Sequence, residues 1–145
     1  MTDQPMDDSL RRILAVWESL RDETFTFQHD GHTFVWNVTR AWTTIQEKPR
    51  NPDYFRPADQ GVTIAHLRQR YPDLDWDYAQ TVDLTRPLLF VPYAGRAQMI
   101  DGWHRLARAV LDGVPQLPAY LLTQEEADDC LALHQPPPLK KGSGK

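Results

Sequence analysis

From Pro87 to Leu122 the sequence runs strand, turn, strand, helix, strand, and that order restricts the fold more than any other feature of the chain. Pro87-Leu-Leu-Phe-Val-Pro92 is an apolar run of the length of a buried strand. Tyr93-Ala-Gly-Arg96 makes a turn, and Ala97–Ile100 a second strand. Residues 102–112 form a helix closed at Gly113, where glycine suits a left-handed C-terminal cap. Leu117–Leu122 is the third strand. The expected fold class is α+β, a small mixed sheet with packed helices.

Upstream, Leu10, Ile13, Leu14, Trp17 and Leu20 recur at helical spacing and predict an amphipathic helix over residues 8–21. Phe25 and Phe27 alternate with polar residues up to Asp30-Gly31, and an extended pattern resumes from Thr33 to Val38. An Asp-Gly pair between two such runs predicts a β-hairpin. A short helix is expected over 39–46. From Glu47 to Gly61 there are three prolines and no period, the pattern of a mobile loop or lid. Thr63–Arg70 reads as a helix ended by Tyr71-Pro72, since the residue before proline is pushed out of helical geometry. Thr123-Gln-Glu-Glu126 fits a capping box and opens a last helix to about His134. The expected organisation is one domain over 1–135, its signature region at 80–134, and a disordered tail over 136–145.

Composition narrows the function. With 145 residues, 41% hydrophobic and five tryptophans, the chain has enough apolar content for a packed core. Its net charge of −4 weighs against non-specific binding to nucleic acid or to an anionic membrane. The single cysteine, Cys130, excludes an intrachain disulfide and an all-cysteine zinc cluster. Met1–Ser9 is acidic and polar, unlike a signal peptide, and no apolar run approaches the roughly 20 residues of a membrane span. A cytoplasmic protein is expected, with no membrane partner.

The candidate site is the turn Asp101-Gly102-Trp103-His104-Arg105. A helix start has N–H groups without partners in the helix and carries the positive end of its dipole. Gly102 lets a ligand approach the backbone, while His104, Arg105 and Arg108 add donors or charge. Together these suit phosphate oxygens. On spacing alone, Asp101 is equally an N-cap, with Arg105 and Arg108 as solvated helix residues.

The stretch Thr81-Val-Asp-Leu-Thr-Arg-Pro-Leu-Leu-Phe-Val-Pro92, then Met99-Ile-Asp-Gly-Trp-His-Arg-Leu-Ala-Arg-Ala109, then Leu111-Asp-Gly-Val-Pro-Gln-Leu-Pro-Ala-Tyr-Leu-Leu122 resembles the ParB/sulfiredoxin superfamily over roughly residues 80–130. The resemblance implies a ParB/sulfiredoxin-like sheet, with the N-terminal helix and hairpin as additions. It also implies nucleotide phosphates on the helix that begins at the motif. Gly102, Trp103, His104, Arg105, Arg108, Asp83 and Arg86 become candidate nucleotide contacts, and Asp101, His104 and Arg105 candidate catalytic residues. The implied ligand is ATP, ADP or CTP with Mg²⁺, or a phosphorylated small molecule. The implied activity is nucleotide-dependent phosphotransfer or nucleotide hydrolysis. The alternative is a non-catalytic module that senses such a ligand or binds a protein partner. Sulfiredoxins carry a reactive cysteine where this chain has Trp103, which has no nucleophilic atom, so sulfinic-acid reduction by that route is excluded.

Weaker patterns stand beside this one. His29-Asp30-Gly31-His32 offers two imidazoles and a carboxylate, though a hairpin turn accounts for them without a metal. Asp83 and Arg86 make either a surface ion pair or a wall of the phosphate site. Glu47 and Asp53, with Arg50 and Arg56, are solvated or supply a carboxylate to an acceptor hydroxyl. Trp36, Trp42 and Trp76 read as core or its edge, and Trp103 as a pocket wall or a core residue. Cys130 reads as a small buried apolar residue.

Overall fold

The computed structural model describes residues 22–138, so the helix expected over 8–21 lies outside the described residues, as does the tail from residue 139 on. The architecture is mixed α+β, with five α-helices and two small sheets among the described residues. Two compact units emerge. Among the described residues, one takes 22–48 together with 125–138, and the other is Pro49–Gln124.

In the first unit, β1 (Thr24–His29) and β2 (His32–Asn37) pair antiparallel in register to His29↔His32, leaving Asp30-Gly31 as a two-residue turn with φ of 50° and 79°. Both values are positive, as a type I′ hairpin requires. Helix α1 (Val38–Glu47) follows at once. Asn37 caps it, its side chain accepting the Arg40 N–H at 2.9 Å. Val38, Ala41 and Ile45 recur on its buried face.

The last helix corrects the sequence reading. It ends at Cys130, and Leu131–Gln135 is a strand, β7, antiparallel to β2. The residues read as its final turn therefore complete a three-stranded sheet in the order β1-β2-β7. His134 stacks on Phe34, with ring centroids 4.4 Å apart. Short segments take their conformation from the partner strand more than from propensity.

The second unit holds the predicted mixed sheet, in the order β3-β6-β4-β5. The segment from 47 to 61 is more structured than its prolines suggest. It contains β3 (Asp53–Phe55), paired with β6 (Leu117–Leu121), and a single 3₁₀ turn at Ala58–Gln60. β4 (Leu88–Tyr93) runs antiparallel to β5 (Arg96–Asp101) and parallel to β6. Helix α2 (Ile64–Arg70) is capped by Thr63, whose hydroxyl accepts the His66 N–H at 3.1 Å. Helix α3 (Trp76–Ala79), not anticipated from sequence, is capped by Asp75 on the Tyr78 N–H at 3.0 Å. Helix α4 (Trp103–Leu111) lies between β5 and β6 in the chain. With α2, it contributes Leu67, Leu106 and Ala109 to a core shared with Leu88, Phe90 and Leu117 of the sheet. Each fully buried leucine there stabilises the unit by about 2 kcal/mol. Among the described residues no helix is long and apolar enough to cross a membrane.

Candidate functional site

β5 ends at Asp101 and α4 begins at Trp103, so the change of direction falls on Gly102. Its φ of 116° lies in the region that side chains rarely adopt. A Cβ there would stand 2.5 Å from Leu88 Cδ2 and 3.4 Å from Leu88 Cα. The turn is thus pressed onto the first residue of β4, and glycine is demanded by space as well as by φ. Gly102 is also the N-cap of α4 and gives that helix no side-chain cap.

Arg105 is not a solvated helix residue. It is 8% exposed, and its side chain folds back beneath the turn. Nη2 donates to the Pro87 carbonyl at 3.0 Å and to Asp101 Oδ2 at 3.4 Å. Nε has no acceptor among the described residues. The start of α4 therefore contains a buried cation with part of its donor capacity unspent.

The other candidates fall into two groups. Asp83 accepts the Thr85 hydroxyl at 2.6 Å and the Thr85 N–H at 2.8 Å. These bonds, helped by the positive charges of Arg86 and Arg105, hold its carboxyl below the ordinary carboxylate range. Asp83, Arg86, Arg105 and Asp101 therefore share one electrostatic neighbourhood. His104 and Arg108 are engaged elsewhere. His104 Nε2 accepts the Asp75 N–H at 3.4 Å, and its ring meets Tyr78 edge-on with centroids 4.9 Å apart. Arg108 donates through Nη1 to the Val82 carbonyl and through Nε to Asp112 Oδ2 at 3.4 Å. Both side chains hold the segment between α2 and β4 onto α4.

Trp103 takes the core role. It packs against the core of the unit, edge-on to Tyr71 at 5.8 Å between centroids. The cavity of about 200 Å³ that it also lines is not shared with Asp101, Gly102, His104 or Arg105. Sequence reasoning missed Asp75 and Tyr78 beside His104. The signal was the N-cap pattern of Asp75 ahead of Trp76-Asp-Tyr-Ala, in a helix too short to show a period.

In the first unit, the histidines of the hairpin gain a third member that the sequence did not suggest. His32 Nδ1 lies 2.9 Å from His134 Nε2, while His29 Nδ1 lies 3.6 Å from Asp30 Oδ2. No group of three or more potential metal ligands occurs among the described residues. Cys130 is buried, and burial pushes its thiol up to about 11, outweighing a hydrogen bond to Thr44 and the charge of Arg40. The ordinary value is 9.0. The protonated thiol thus stabilises the fold fully below pH 9, and that contribution is lost as pH rises through about 11. Iodoacetamide at pH 8.5 is expected to alkylate native protein at least tenfold more slowly than protein in denaturant, read by mass spectrometry. Equal rates would show that the thiol is neither buried nor held protonated.

No family model, curated protein or solved structure matches this chain.

Proposed function

We propose that the turn Asp101–Arg105 binds the phosphates of a nucleotide, and that the chain is a ParB/sulfiredoxin-like nucleotide-dependent phosphotransferase or nucleotide hydrolase. One observation carries the reading. The start of α4 joins a glycine N-cap without a side-chain acceptor to a buried arginine whose Nε has no acceptor among the described residues. First-turn N–H groups and the helix dipole favour an anion there, and Arg105 adds fixed positive charge.

The donor set fits a phosphate. It fits Mg²⁺ only as an ion carried in by the phosphates, since no group of three ligand side chains occurs among the described residues and Mg²⁺ is commonly held by one or two carboxylates plus substrate phosphates. Asp101 and Asp83 are the carboxylates for that role. Bound there, the ion would neutralise charge on the transferring phosphoryl group. The first-turn N–H groups of α4 would meet the phosphate, and Arg105 would stabilise developing charge from below. ATP, ADP and CTP are the nucleotides to try first.

A second reading is binding without turnover, by a sensing or protein-binding module. It is favoured by the engagement of His104 and Arg108 with the segment ahead of β4, which leaves neither aimed at a reacting group.

Thermal unfolding against ATP, ADP, CTP and GTP, each with and without Mg²⁺, tests the proposal. A nucleotide at about 100 times its dissociation constant adds roughly 2.7 kcal/mol, which at about 3 °C per kcal/mol for a chain of this size is roughly 8 °C. The comparison is the nucleotide-induced shift within wild type and within Arg105→Lys, because any loss of intrinsic stability cancels. A shift in wild type that falls by half or more in the variant supports the site. No shift with any nucleotide at millimolar concentration sinks it. Product analysis with the stabilising nucleotide then separates turnover from sensing.

A further inference from the structure

A second concavity of the second unit lies apart from the turn at Asp101. It is a groove of about 630 Å³ to which all four strands of the sheet contribute, among them Phe55 from β3, Ala119 and Leu121 from β6, Phe90 from β4 and Ala97 from β5. None of Asp101, Gly102, His104 and Arg105 lines it. The volume is that of a small-molecule site, and the wall is apolar with a few polar groups at its margin, as such sites are.

Two further observations set it apart from ordinary surface. Tyr54 and Leu121, which also line it, are 61% and 47% exposed, so large apolar side chains stand open to water inside a concavity. Phe55 and Phe90 stack with centroids 5.4 Å apart and planes 30° from parallel, although β6 separates their strands. They meet because Ala119 of β6, between their levels, has only a methyl group. The result is an aromatic floor.

Charge on the groove is segregated. Arg96 is on β5 and Asp53 on β3, at opposite edges of the sheet. Three strand spacings, roughly 14 Å, separate those edges. An anionic group can therefore pair with Arg96 without meeting Asp53, and guanidinium is suited to carboxylate, sulfonate or phosphate oxygens. We infer that this groove is a second binding site, for a small molecule with a planar aromatic ring and one anionic group. The ring lies on the Phe55–Phe90 floor and the anion at Arg96. The inference does not depend on the phosphate reading of the turn.

Two fluorescent probes test it on the full chain: 1-anilinonaphthalene-8-sulfonate, an aromatic anion, and N-phenyl-1-naphthylamine, its uncharged counterpart. Ala97 is exposed on an edge strand and lines both the groove and the cavity beside Trp103. Ala97→Trp therefore fills the groove without opening the core, and a thermal midpoint equal to wild type establishes that it folds. The wild type should bind one sulfonate probe per chain. Ala97→Trp should weaken both probes at least tenfold, and Arg96→Glu should weaken the sulfonate about tenfold while leaving the neutral probe within twofold. Unchanged affinities in Ala97→Trp would overturn the site. A sulfonate affinity unchanged by Arg96→Glu would overturn the anionic ligand.

Discussion

Gly102→Ala is expected to destabilise the second unit by roughly 4 kcal/mol, the sum of two costs of different origin. The first is backbone strain. At φ 116° an L-residue sits outside every comfortable well, at a cost of order 1–3 kcal/mol. The second is the clash. The added methyl would lie 2.5 Å from Leu88 Cδ2, 3.3 Å from Arg105 Nη2 and 3.4 Å from Leu88 Cα. A flexible surface side chain would swing away cheaply, but Leu88 has no exposure and belongs to the core. Overpacking of that kind typically costs 1–3 kcal/mol. Gly95→Ala separates the two costs, since Gly95 has φ 77° and nothing within 4 Å of a built Cβ. It carries strain without a clash. In urea or thermal unfolding followed by circular dichroism, Gly102→Ala should lose at least 2 kcal/mol more than Gly95→Ala. Equal losses would mean that the turn is not pressed onto β4, and that glycine is required at 102 for its φ alone.

The contrast between these glycines shows what a sequence can and cannot disclose. The elements from Leu88 to Leu121 were legible because each has a local cause: an apolar run, a turn, a helix with a glycine end. Helix α1 and the β1–β2 hairpin were legible for the same reason. Strand β7 was not, because Leu131-Ala-Leu-His-Gln has no strong strand propensity and becomes a strand by pairing with β2, whose residues lie about a hundred positions earlier. Strand β3 is three residues long among prolines and exists through its ladder to β6. Both are tertiary decisions, and local pattern cannot anticipate them. The site divides along the same line. The helix start at Gly102 could be read from Asp-Gly ahead of a helical segment. The fate of each basic side chain could be read only in part. Asp101 and Asp112 stand four residues from Arg105 and Arg108, but no spacing rule connects Arg105, Arg108 and His104 to their other partners at Pro87, Val82 and Asp75.

Arg105→Ala should destabilise the unit by about 3 kcal/mol, and the argument turns on what the removed guanidinium leaves behind. Its Nη2 donates to both the Pro87 carbonyl and the Asp101 carboxylate. With Arg105 only 8% exposed, the vacated space is enclosed. A buried acceptor that loses its donor costs about 1–3 kcal/mol, and the lost side-chain stem adds a packing term. Removing one partner of a buried ion pair costs 3–5 kcal/mol. The lower end applies here, because the Asp101 side chain keeps 23% of its exposure and can recover water. Arg105→Met, which keeps the stem and drops the charge, should lose about half as much. Asp101→Asn combined with Arg105→Ala should cost less than the sum of the two single changes, since both remove the same Arg105–Asp101 contact. Denaturant midpoints of the four proteins decide the matter. An Arg105→Ala midpoint equal to wild type would show that the contacts under the turn contribute nothing. The expected loss would make Arg105 a tie between α4, the end of β5 and the start of β4. A phosphate at the turn would then meet a cation already fixed in place, with little ordering left to oppose binding.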